Sequence, residues 1–396
     1  MTLPLEGIRV IDLGQIYAVP YCTMQLAYLG AEVIKIEPPG SGEFLRVPEV
    51  SRGGVSYSFL MLNANKKSVT LNLKDPRGRE ILLQLLAGAD VLVENYLGGV
   101  MESLGLGYEQ LAPRFPKLIY ASGKGYGVGS RWERLGAMDP TVQAASGFIS
   151  VTGFADRGGV KTPTTFIDMG TGSHLVSAIL AALIQRGRTG RGQRVEVAML
   201  DVCVPAMTTL IAQHLDGRKF HRMGNRHWGA VPCNVYPAAD GGELMIFCLT
   251  EAHWRSCAKL MGREDLLADP RYKSHGSRMR IADEVDGLIS AWTRTIARDA
   301  LIDILIAEGV PCAPVRSTEE IIDDPEIAGR AMLIDSDFPT RGPVRVLGSP
   351  LKLSDAPCDA RAVRRPPALG EHNAEVFATV GIDAAALARL RSDGVV

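Results

Sequence analysis

Short β-branched runs alternate with helical periods over the first 125 residues. IRVID at 8–12 reads as a buried strand, 18–30 as a helix, and EVIKIE at 32–37 as the next strand. SVTLNL at 68–73 is another strand. Asp75 and Pro76 then supply an N-cap and a first helical residue, and Ile81, Leu82, Leu85 and Leu86 recur at the spacing of one buried face. DVLVEN at 90–95 and KLIYAS at 117–122 continue the alternation. Strand–helix–strand at this spacing predicts a parallel sheet with helices on both faces. A ligand crevice is then expected at the C-terminal ends of the strands.

A long helical stretch at 168–186 is broken by GRTGRGQ at 187–193, followed by QRVEVAM and a helix to about residue 215. The polar segment 216–227 reads as a crossover. Beyond it come short strands (231–249) and helices over 251–261, 278–293 and 298–308, until PCAPV at 311–315 opens a second crossover. The expected plan is α/β: a large doubly wound, Rossmann-like domain beginning with 1–215, and a smaller α+β domain at 228–315. Residues 316–396 cross over and return to the large domain.

Composition narrows the partners. Lys plus Arg is 43 and Asp plus Glu is 44, a net charge of −1, so nothing global favours nucleic acid or an anionic membrane. A phosphate-bearing ligand must be held by a local cluster. Aromatics at 6% argue against base-stacking platforms. Cys22, Cys203, Cys233, Cys248, Cys257, Cys312 and Cys358 contain no C-x-x-C, so free thiols in a reducing compartment are expected, with no metal site. MTLPLEGIRV lacks the plan of a signal peptide, and no unbroken apolar stretch spans a bilayer. A cytoplasmic protein is the expectation.

The common chemical signatures are missing. There is no G-x-S-x-G, no H-E-x-x-H and no G-x-x-x-x-G-K-[ST]. The turn after the first strand, DLGQIYAVP, lacks G-x-G-x-x-G, so the usual dinucleotide cradle is absent. Three glycine-dense places remain, at 40–42, 122–130 and 187–193, each also readable as a plain turn. SGKGYGVGS directly follows a predicted strand, at the crevice edge, and carries Lys124.

Read in order, PLEGIRVIDL, LGAEVIKIEPPGSGE, NKKSVTLNLKDPRG, VLVENY, LIYASGKG, IDMGTG, GRTGRGQRVEVAMLD, MGNRH and PPALGEHNAEV resemble the family III CoA-transferases. That group includes formyl-CoA, carnitine-CoA and bile-acid transferases, and the resemblance runs through essentially the whole chain. It implies an interlocked homodimer and no tightly bound cofactor, with coenzyme A thioesters and a small carboxylic acid as substrates.

The resemblance places the catalytic aspartate at Asp168 in FIDMGTG. The residues agree. Asp168 lies at a predicted helix start, whose free N–H groups favour an anion, and Gly170 and Gly172 leave room for a carbonyl. A plain N-cap is the competing reading. A carboxylate of ordinary pKa, ~3.9, is ionised at neutral pH and needs no partner base. The implied chemistry runs through an aspartyl mixed anhydride and an aspartyl-CoA thioester, in a site that excludes water and stabilises oxyanions with a glycine loop.

Carrying over the CoA contacts gives Tyr17, Ala18, Lys66, Leu73, Lys74, Asn95, Tyr96, Lys124 and Asp139. Tyr17 stands where several transferases have glutamine. Leu97 and Ser103 stand where the family often has a base, so Lys66, Lys74 and Lys124 become the phosphate candidates. A solvated surface charge is the competing reading of each.

Two rivals remain. The α-methylacyl-CoA racemases place a catalytic histidine in G-H-D, where this chain has Ala137, Met138 and Asp139, and methionine accepts no proton. A non-catalytic CoA-binding relative is the other. The segment 230–242, AVPCNVYPAADGG, lacks the glycine run of formyl-CoA transferases, which disfavours formyl and oxalate as the substrate pair.

Overall fold

Six parallel strands form one sheet: β1 (Arg9–Asp12), β2 (Glu32–Glu37), β3 (Lys67–Thr70), β4 (Val91–Glu94), β5 (Ile119–Lys124) and β6 (Arg194–Ala198). Their order is β3-β2-β1-β4-β5-β6. The computed structural model describes residues 3–46, 54–356 and 363–396, and Cys358 lies outside them.

Both faces of the sheet are covered, so successive residues of β1 and β4 are buried whichever face they point to. Val10, Val33, Val91, Val93, Ile119 and Ala121 pack in one core with the helices Ala18–Tyr28 and Phe166–Thr189. Ile11, Ile34, Val69, Leu92 and Tyr120 pack on the other face with the helix Pro76–Leu86 and the C-terminal helices Asn373–Ala378 and Ala384–Ser392. Asp75 caps Pro76–Leu86 through a side-chain bond from the Arg77 N–H, as its sequence predicts.

Phe166–Thr189 is long and apolar enough to cross a membrane by length and mean hydropathy, 1.5 over its best window. Its Leu175, Val176, Ile179 and Ala182 instead fill the core beside the first helix.

Three expectations need correction. The stretch to residue 215 is two helices, Met199–Ala206 and Thr208–Leu215, broken where Pro205 withholds an N–H. The helix expected over 278–293 is also two, His275–Met279 and Ala282–Thr293. An antiparallel hairpin, with strands Leu333–Phe338 and Gly342–Leu347, occupies a stretch read as crossover. Its Ile334, Phe338, Val344 and Val346 are buried, with Asp335, Asp337 and Arg345 exposed between them, and Ser336 is the one polar residue that interrupts the inward face.

The chain divides into two units. The first comprises Met1–Phe148, Lys161–Gly217 and Asp324–Val396, and the second Ile149–Val160 with Arg218–Asp323. The second unit has its own antiparallel sheet, with strands Cys233–Pro237, Glu243–Phe247 and Cys312–Pro314. Tyr236, Trp254, Val285 and Leu301 form its core. Arg278 is fully buried there, bonded to Val231 O and Glu251.

Candidate active site

The strand order reverses between β1 and β4, and the loops leaving those two strands open a crevice at their C-terminal ends. Gln15–Ala18 leaves β1 and Asn95–Gly98 leaves β4. Together with Gly123, Lys124, Leu135, Met138, Asp168 and Thr171 they line a cavity of about 200 Å³. A second cavity, about 770 Å³, shares Gln15 and Tyr96 and continues along Leu71–Lys74, Ser103 and Leu104. Both lie wholly in the first unit.

Asp168 is the third residue of Phe166–Thr189, with Thr165 as N-cap, so the simple N-cap reading does not hold. The cap anion is Asp139. Its Oδ2 accepts from the main-chain N–H groups of Ile167 (2.9 Å) and Asp168 (3.2 Å), and its Oδ1 accepts from Gln143 Nε2. The donors expected to favour the Asp168 anion are therefore spent on another acid. The Asp168 carboxylate accepts no hydrogen bond from the described residues and faces the cavity. Burial, with the Asp139 charge added, pushes its pKa up to about 7. A carboxylate of ordinary acidity was expected here. The fold supplies one that titrates near neutrality.

Neither neighbouring glycine is among the residues that line the cavity, and Gly172 serves helix packing. A Cβ on Gly172 would lie 2.5 Å from Ala18 O and 2.9 Å from a Tyr21 ring carbon. Gly172 thus lets the long helix close on the first turn of Ala18–Tyr28, which brings Tyr17 and Ala18 to the cavity of Asp168. A Cβ on Gly170 would meet Val202 at 3.0 Å.

The expected CoA contacts separate into groups. Tyr17, Ala18, Asn95, Tyr96 and Lys124 line the first cavity, and Leu73, Lys74 and Tyr96 the second. Tyr17 Oη bonds Ser58 Oγ at 3.1 Å. The Asn95 amide is occupied on both sides, accepting from Gln15 N–H (2.9 Å) and donating to Gln15 O (2.8 Å). Lys124 Nζ bonds Glu94 (2.8 Å) and Tyr96 O (2.8 Å).

Two residues are misplaced for a ligand contact. Asp139 is buried and spent on the helix start. Lys66 is fully buried, with Nζ 3.0 Å from Asp12 Oδ2 and 2.9 Å from Pro20 O. Burial pushes its pKa down to about 8 against the pull of Asp12. No phosphate reaches an ammonium sealed inside the core, so Lys66 leaves the set of phosphate candidates.

Sequence reasoning did not single out Arg134. It is exposed beside Gly99, between the lining residues Glu133 and Leu135. Like Lys74, it has no ion-pair partner among the described residues. The turn RWERLGAMD carries no pattern that would aim one of its charges at the crevice.

Comparison with known proteins fits this geometry. The model of CoA-transferase family III matches residues 5–373. A formyl-CoA:oxalate CoA-transferase of Streptomyces avermitilis is 37% identical over all of both chains. An acyl-CoA transferase of Fusarium pseudograminearum is 34% identical over 99% of this chain and 88% of its own. The crystal structure of a CAIB/BAIF family protein from Brucella suis superposes with a TM-score of 0.85 at 32% identity, covering 96% of this chain and 100% of that one. With a matching sequence over nearly its full length and a matching fold, the chain belongs to CoA-transferase family III and is an acyl-CoA:carboxylate CoA-transferase.

Proposed function

We propose that Asp168 is the carrier carboxylate of this transferase. The observation that supports it is a carboxylate facing a cavity, with no hydrogen-bond partner among the described residues and a pKa raised to about 7. Such an anion is poorly stabilised and correspondingly nucleophilic. An Asp168 oxygen attacks the carbonyl carbon of the donor thioester, the C–S bond breaks, and CoA thiolate leaves a mixed anhydride. Thiolate then attacks the Asp168 carbonyl carbon. That breaks the anhydride C–O bond, releases the donor acid as carboxylate and leaves an aspartyl-CoA thioester. The acceptor carboxylate repeats the two steps in reverse order, and Asp168 is regenerated.

Each attack produces an oxyanion. The N–H groups of Tyr17 and Ala18 have no acceptor among the described residues and stand at the cavity wall, so they are its natural donors. The acyl end occupies the first cavity and the CoA arm runs past Gln15 and Tyr96 into the second, with Lys74 and Arg134 toward its phosphates. Met138 lines the first cavity and no histidine does, which leaves racemase chemistry without its second base.

The relatives named formyl-CoA:oxalate CoA-transferase put that pair first in a substrate screen. The missing glycine run at 230–242 keeps the proposal at the level of an acyl-CoA and a small carboxylic acid. The working form is a homodimer.

Trapping tests the mechanism. Enzyme with donor and no acceptor, treated with hydroxylamine, should give a hydroxamate at residue 168 by peptide mass spectrometry. Asp168→Ala should lose exchange while staying folded and binding CoA esters. A label on another residue, or robust exchange by the variant, overturns the reading.

A further inference from the structure

Three non-glycine residues have positive φ among those described: Ile16 (67°), Asn65 (65°) and Ala331 (50°). Asparagine tolerates that region, whereas a β-branched residue there is a true outlier. Ile16 lines the Asp168 cavity and immediately precedes Tyr17 and Ala18. Strain placed at such a point must be held by its surroundings.

The surroundings are unusually complete. From Gly14 to Ile16 the main chain is gripped by side chains brought from elsewhere. Gly14 N–H donates to Asp12 (2.7 Å), and Gly14 O accepts from Lys35 Nζ (2.6 Å). Gln15 is clamped on both sides by Asn95. The last anchor is Glu43, whose Oε2 accepts the Ile16 N–H at 3.0 Å.

Glu43 is a costly anchor. It is 3% exposed, does not line the cavity, and its Oε1 has no hydrogen-bond partner among the described residues, with Lys35 Nζ at 3.9 Å. A neighbouring acid, Glu37, holds its main chain by accepting the Glu43 N–H at 3.2 Å. A buried carboxyl with one orphan oxygen is destabilising, so its presence calls for an explanation, and its other contact supplies one. That contact turns the Ile16 N–H out of the cavity. The next N–H groups at the cavity, of Tyr17 and Ala18, have no acceptor among the described residues.

We infer that Glu43 is a positioning residue: it holds Ile16 in the left-handed conformation and thereby aims the Tyr17 and Ala18 N–H groups at the carbonyl reacting with Asp168. The inference rests on the reading of Asp168 as nucleophile. Glu43 itself touches no substrate, so its removal should act on kcat and spare the KM of the acyl-CoA.

The test is a double-mutant cycle on full-length protein, with exchange kinetics and circular dichroism. Glu43→Met is nearly isosteric and removes the acceptor; Glu43→Ala is the alternative where it folds better. Either should lower kcat about 10- to 100-fold, the scale for displacing an oxyanion donor, and change KM less than about 3-fold. Glu43→Gln keeps an acceptor oxygen and should retain most activity.

In the Ile16→Gly background the same removal of Glu43 should cost less than about 3-fold, because glycine adopts positive φ unaided. An equal loss in both backgrounds, or a loss lying wholly in KM, overturns the proposal. So does an unfolded Glu43→Met that Ile16→Gly fails to make active. Hydroxylamine trapping on the wild type separates the two readings. No adduct at Asp168 removes the nucleophile, whereas an adduct without coupling removes only the role of Glu43.

Discussion

The carboxylate of Asp139 accepts the main-chain N–H of Asp168 at 3.2 Å, so one acid caps the helix that carries the other. Asp139 thereby consumes the helix-end donors and adds a negative charge near the Asp168 carboxyl. Both effects disfavour the Asp168 anion, which suits the nucleophilic role proposed for it.

The pH profile should show this. In the proposed mechanism only ionised Asp168 attacks, so kcat/KM for the acyl-CoA is expected to climb with pH through about 7 and then level off. Asp139→Asn keeps an acceptor for the helix and removes the charge, and should move that limb to lower pH. A limb that stays in place in the variant would assign the shift to burial alone.

Stability should carry the same signature. The folded pKa, about 7, lies above the ordinary value of 3.8, so the fold favours the neutral carboxyl. That contribution is fully present below 3.8 and is lost as pH rises through 7. Asp168→Asn, neutral throughout, should therefore have a higher Tm than wild type at pH ~8, the gap closing toward pH ~4. Thermal unfolding across that range checks the sign.

Gly172→Ala should be far worse than Gly170→Ala. The first puts a methyl 2.5 Å from Ala18 O, the second 3.0 Å from a Val202 methyl that can shift. About 1–3 kcal/mol of destabilisation is expected for Gly172→Ala, with loss of exchange as the first helix is pushed from Asp168. Denaturant unfolding and kcat would be compared for the pair.

The lysines should divide by burial. Lys74→Ala and Arg134→Ala are expected to raise the KM of the CoA ester and leave that of the matching acyl-pantetheine, which lacks the nucleotide phosphates, unchanged. Lys66→Ala instead takes the paired cation from the buried Asp12 carboxylate, leaving it the Thr23 and Gly14 hydrogen bonds, and should cost about 3 kcal/mol of stability. An unaltered Tm in that variant would contradict the buried pair.

Assembly can be read by sedimentation. Leu215 (81% exposed), Ile184 (62%) and Val204 (53%) leave apolar side chains uncovered on the isolated chain. A dimer that persists on dilution to about nanomolar concentration is expected, as interlocked chains separate only by unfolding. A folded monomer at that dilution would sink the homodimer.

What the sequence determined by itself is what local pattern and order encode. The strands of the parallel sheet, the Asp75 cap and the crevice at the strand ends follow from short β-branched runs such as IRVID, EVIKIE and DVLVEN alternating with helical periods. The order of segments around Asp168 was equally legible. The hairpin at Leu333–Phe338 and Gly342–Leu347 was not, since Ser336 breaks the apolar alternation of its first strand and Pro343 opens its second. Charges are where local reading fails. Lys66 and Lys74 lie in one basic stretch of sequence, yet one is sealed against Asp12 and the other lines the second cavity. Asp168 looks like an ordinary helix-start acid until Asp139, 29 residues earlier, is folded onto the same helix end. A pKa and a partner depend on what the tertiary structure brings within a few ångströms, and no spacing along the chain records that.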